Sequence, residues 1–215
     1  SLQNRTVATG GGGGGAGIVN LSGATLVITG SEVISNSASH YGGGIATLTG
    51  ATLVITNSQL LSNTAATNGG AIFNDQGTVR LSATQLAHNV AQAGYGGAIN
   101  NRGDLLVTAS SLQANSATSN GGAIVNTGVL TVTATRLQAN VSGAAGGAIA
   151  SNGLLTVTMS EIISNSAAQG GGIVVQGSGT VNESTLAYNQ AGVGGALVNV
   201  GVLAANNNAF FGNTA

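Results

Sequence analysis

The sequence predicts an all-β chain, a single-stranded parallel β-helix with three short strands per coil and about eight to nine coils of 24–27 residues. Three observations carry this. A Gly-Gly-Ala-Ile-like step recurs eight times, ending at Ile18, Ile45, Ile72, Ile99, Ile124, Ile149, Ile173 and Leu197. Each step is followed by an asparagine, at Asn36, Asn63, Asn89, Asn115, Asn140, Asn165, Asn189 and Asn213. Helical periodicity is missing. Self-similarity at this spacing means a solenoid in which each unit stacks on the next. Neighbouring coils then lie about 4.8 Å apart, so eight coils make a rod of roughly 38 Å. A right-handed coil is expected, because parallel crossovers are overwhelmingly right-handed.

Each strand is read from its alternation. The first runs through the Ile of the glycine step. The second is a Leu-Thr-Val-Thr stretch, clearest at Leu130–Thr133 and Leu155–Thr158. The third precedes the asparagine, with a large apolar residue three positions before it (Leu60, Leu86, Leu112) and a small polar one five before it (Ser58, Thr84, Ser110). A small residue lies two after it, as at Ala65, Ala91 and Ala117. Glycine and asparagine are expected at the corners, where a left-handed backbone is needed. The asparagines are expected to stack as a hydrogen-bonded ladder, with Asn4 as a ninth member. The whole of 1–215 reads as one domain, with 1–17 an incomplete first coil and glycine-rich corner and 18–215 the eight repeats.

Composition removes several functions. Only 4% of residues are charged, with four arginines, no lysine and a net charge of −1. Phosphate neutralisation, and so nucleic-acid binding, is not supported. No stretch approaches the roughly 18 apolar residues of a membrane helix, so no membrane insertion is expected. There is no cysteine, and the run Gly10–Gly15 lacks the Lys-Ser/Thr of a phosphate loop. The five acids, Glu32, Asp75, Asp104, Glu161 and Glu183, fall in four different repeat columns. Glu32 and Glu161 share one, but five coils apart, roughly 24 Å. His40 and His88 are isolated. No catalytic residue, cofactor site or metal site is expected, and the chain reads as non-enzymatic. Arg136 and Glu161 share an outward column in adjacent coils and should form a surface ion pair. An outward threonine column (Thr29, Thr56, Ser82, Thr108, Thr133, Thr158) has full paired rows only at Thr131/Thr133 and Thr156/Thr158. That is little for ice binding, since threonine favours strands anyway.

The ends matter because an uncovered β-helix edge invites pairing. The final residues Phe210, Phe211, Asn213 and Ala215 and the first residues Ser1, Leu2, Asn4 and Thr6 lie at nearly the same phase of the repeat. They are the expected end-to-end interface, through which copies of the chain stack head to tail without closing. A start at Ser1 is read as a mature chain after signal peptide removal, placed outside the cell or on its surface.

The Gly-Gly-Ala-Ile motif is complete at Gly69–Ile72, Gly96–Ile99, Gly121–Ile124 and Gly146–Ile149, with variants at Gly42–Ile45, Gly170–Ile173 and Gly194–Leu197. A Phe-x-x-Asn motif lies at Phe210–Asn213, and Leu, Ile or Val replaces Phe elsewhere. The pair resembles the repeats of chlamydial polymorphic membrane proteins, over nearly the whole chain. The resemblance implies an extracellular β-helix of the kind that serves as a surface-exposed adhesin passenger. The expected function is thus a structural subunit of a cell-surface filament. The alternative is an adhesin-like rod that binds surface glycans or proteins through its lateral faces.

Overall fold

The computed structural model describes residues 2–3, 6–7 and 17–215. Among the described residues every strand pairing is parallel, and the strands form four stacked sheets of nine, six, eight and eight strands. One coil shows the order: Gln59–Leu61 in sheet I, Thr64–Ala65 in sheet II, Ile72–Asn74 in sheet III and Thr78–Ser82 in sheet IV. Each strand pairs with its counterpart one coil away, as Leu60 pairs with Leu86, and Ile72 with Ile99.

The three expected strands of each coil are present in sheets I, III and IV, and sheet II adds a fourth and partial sheet of two-residue strands. It continues beyond Val141–Ser142 only as single bridges at Ser166, Gln190 and Thr214. Two residues are too few to display a period, so this strand leaves no alternation to read.

The core is one continuous stack of apolar columns. Leu60, Leu86, Leu112 and Leu137 come from sheet I, Ile72, Ile99, Ile124 and Ile149 from sheet III, and Leu53, Ile55, Leu130 and Val132 from sheet IV. All are fully buried. Burying such a side chain contributes about 1.5–3 kcal/mol. Sheet II supplies only small residues inward, Ala65, Ala91 and Ala117, because it faces the glycine step at backbone distance. A Cβ on Gly70 would collide with the Gly97 carbonyl and with the Val90 backbone. The preceding Gly69 holds φ +66°, the left-handed corner that starts the return into sheet III.

The other corners differ from expectation. Two positions per coil are left-handed, and mostly neither glycine nor asparagine fills them. Before the ladder asparagine stand Ser62, His88, Ala114, Ala139, Ser164 and Tyr188, and at the sheet IV–I corner stand Ala83, Ala109, Ala134, Met159 and Glu183, all at φ near +50°. A left-handed L-residue costs about 1–2 kcal/mol. In each case the next residue is a buried polar side chain that bonds across the corner, and this holds the strained turn.

Candidate functional site

The ladder runs without a break from Asn36 to Asn213. The side-chain amide of Asn89 donates to Asn115 Oδ1 at 2.9 Å, and its backbone N–H donates to the same oxygen at 3.0 Å. Its second amide hydrogen reaches the Leu60 carbonyl of the preceding coil at 3.0 Å. The same three bonds recur around Asn63, Asn115, Asn140, Asn165 and Asn189. These amides use their full hydrogen-bonding capacity at 0% exposure. Asn140, which heads the glycosylation sequon Asn140-Val141-Ser142, therefore cannot serve as an acceptor in the folded chain. Asn4 and Ser1 lie outside the described residues. Leu2 pairs with Val33 and Thr6 with Ser37.

A second buried polar column went unrecognised in the sequence. It is the third residue of the first six sheet III strands: Asn20, Thr47, Asn74, Asn101, Asn126 and Ser151. Asn74 donates to Asn101 at 2.7 Å, Asn101 to Asn126 at 2.8 Å, and Asn126 to Ser151 Oγ at 3.0 Å. The signal was an Asn two residues after the motif isoleucine. A third column caps the sheet IV–I corner, where the backbone N–H of Thr84 donates to Ser110 Oγ and that of Ser110 to Thr135 Oγ1.

The charged groups do not converge. Arg136 Nη1 lies 2.6 Å from Glu161 Oε2 on exposed neighbouring strands, as the column register required. Arg102 Nη1 lies 3.6 Å from Asp75 Oδ1. Among the described residues no group of three or more His, Asp or Glu could hold a metal ion. Glu32 heads a sheet I column that reaches Glu161 only through four intervening coils. Among the described residues no helix is long and apolar enough to cross a membrane.

Two surface features stand out. The first is lateral. The outward column of sheet III is covered by the loops that lead into it: Phe73 is 3% exposed, with the Tyr41 ring stacked on it at 4.8 Å and the Arg102 guanidinium 5.0 Å from its centroid. Beside this stack a cleft of about 270 Å³ opens between Tyr95, Asn100, Arg102, Asn120, Thr127 and Asn152, with Val125 and Ala150 among its lining residues. The second is the outer edge formed by Leu197–Asn199, Val202–Asn206 and Ala209–Phe211, each the last strand of its sheet. It exposes Val200, Val202, Phe210 and Phe211, the last in edge-to-face contact with Tyr188 at 5.4 Å. Leu2 and Phe211 lie on the two outermost strands of sheet I, at opposite ends of the coil stack.

Fold and ladders together define a β-solenoid repeat protein of the parallel β-helix class. Residues 57–75 match the model of the Chlamydia polymorphic membrane protein repeat. That stretch carries ladder Asn63, the Gly69–Ile72 motif and the second-column Asn74. No curated protein and no solved structure matches the chain.

Proposed function

We propose that this chain is a non-enzymatic structural β-helix of a cell-surface protein, and that copies stack head to tail into a filament. The surface location is supported by the polymorphic membrane protein repeat match at residues 57–75. The observation that carries the structural reading is the self-similarity of the coil interface. Each coil offers the next the same amide, carbonyl and strand edge, so a further coil is held by bonds already repeated along the rod. Asn213 accepts from Asn189 and donates to the Leu186 carbonyl, as an interior member of the ladder does. Adding a copy at the outer edge buries Phe210 and Leu203 in the inward columns that Leu186 and Gly179 occupy one coil below.

The test uses the edge strand itself. The Val202 N–H bonds back to Gly177, so by alternation the N–H of Ala205 points outward from the stack. Proline is tolerated on an edge strand where its missing N–H faces solvent, and it blocks pairing there. Ala205→Pro should leave the circular dichroism spectrum unchanged and hold the protein as single rods in light scattering, while the native chain lengthens with concentration. Growth of the Ala205→Pro protein to the same size would overturn stacking through this edge.

A second reading, an adhesin-like rod that engages a neighbouring surface laterally, is favoured by the cleft beside Tyr95 and Asn100.

A further inference from the structure

We infer that this lateral cleft binds a neutral saccharide, with Tyr95, Asn100 and Asn120 as its principal contacts. The inference rests on the lateral-contact reading and is independent of end-to-end stacking.

The first ground is where the repeat is broken. The chain holds only three phenylalanines and three tyrosines. Three of these six, Tyr41, Phe73 and Tyr95, sit on this one face in consecutive coils, together with the Asp75–Arg102 pair. Elsewhere the same columns carry no aromatic: Ala46, Asn100, Val125 and Ala150 occupy the Phe73 position, and Asn120, Ala145 and Gln169 the Tyr95 position.

The second ground is Asn100. It belongs to the outward column of sheet III, is 5% exposed, and its side-chain amide makes no hydrogen bond within the protein. Its sequence neighbour Asn101, facing inward, makes three. The amide atoms of Asn100 open on the cleft, and its neighbours in the column show that alanine or valine fits the fold. An amide that lines a cleft and has unused donors and acceptors is placed for a ligand.

The third ground is the chemistry around it. Tyr95 is 44% exposed, and its backbone is fixed by an N–H bond to Asn68 Oδ1 at 3.0 Å. Its ring can pack against the C–H face of a sugar while its hydroxyl remains available. Asn120 spends its oxygen on the Ala145 N–H at 3.2 Å, which leaves its NH₂ free to donate. Asn152 adds a third, exposed amide. Apolar patches among convergent amides suit a ring with hydroxyls on its rim. Arg102, the one charged residue of the lining, is paired with Asp75 at 3.6 Å, which offsets its charge and favours a neutral polyol over an anion. The lining spans three coils, about 10 Å at the strand spacing, enough for a short oligosaccharide.

Ligand-observed saturation-transfer NMR tests this whatever the length of the assembly. The probes are chitotriose, maltotriose and lacto-N-tetraose, with 3′-sialyllactose as the acidic arm. Transfer to at least one neutral sugar is expected. Asn100→Ala, the residue found at 46 and 150 of the same column, should weaken binding at least tenfold, with a melting temperature at or above that of the native chain. Tyr95→Ala should weaken it similarly. No transfer to any neutral sugar, transfer unchanged in Asn100→Ala, or a preference for the sialylated sugar would overturn the assignment. If native and Asn100→Ala proteins attach equally to cell surfaces, the saccharide assignment fails and the lateral reading survives. If neither attaches and no sugar binds, both fail.

Discussion

Two columns of buried asparagine run along the same rod, and they differ in strictness. The ladder at the sheet I–II corner is asparagine in every coil from Asn36 to Asn213. The column at the sheet III–IV corner passes from Asn126 to Ser151 and then to Val175, which is fully buried without a polar atom in its side chain. The difference lies in what the backbone can do unaided. At the ladder the preceding residue is left-handed, and the backbone N–H of each asparagine has only the next asparagine's Oδ1 as partner. At the second column the turn shortens along the chain. The N–H of Gly77 needs Asn74 Oδ1, whereas those of Gly153, Gly177 and Gly201 reach a backbone carbonyl of the previous coil. Once the main chain closes the turn by itself, the side chain is free to change. Strictness in a repeat thus marks the positions where the backbone has no alternative donor or acceptor.

This contrast can be broken by substitution, with urea unfolding as the readout. Asn115→Ala should have the largest effect. It strips acceptors from the Asn89 N–H and amide and donors from the Leu86 carbonyl and Asn140 Oδ1, in a region closed to water. A loss of about 3–5 kcal/mol is expected. Asn126→Val copies what the second column already carries at Val175 and should cost about 1–2 kcal/mol. Equal losses at the two sites would remove the distinction. Ala134→Gly should act in the opposite sense and stabilise by about 0.5 kcal/mol. Ala134 is exposed at φ +48°, and glycine relieves the left-handed penalty at some cost in chain entropy. A destabilised Ala134→Gly protein would show that the corner is held by more than the adjacent polar column.

The repeat made the coil, its period and the main ladder legible in the sequence, because each depends on spacing that eight copies restate. The Arg136–Glu161 pair was legible for the same reason. Sheet II was hidden by its two-residue strands. The alanines at left-handed corners were hidden because intrinsic preference points to glycine there, and only the cross-coil bonds at Ser110, Thr135 and Asn115 show why alanine is held. The cleft was the least legible feature. Asn100 and Asn101 are adjacent and chemically identical, and only the alternation of a strand covered on both faces separates a satisfied ladder amide from an unpaired one facing a groove.

The ladder reaches Asn213 with its interior geometry intact, and the central claim is that another copy continues it. Negative-stain electron microscopy of the purified chain at neutral pH tests this most directly. Stacking predicts uniform fibres many times longer than one coil stack, which measures roughly 38 Å at the strand spacing. Dispersed rods of about that length, at every concentration examined, would contradict it.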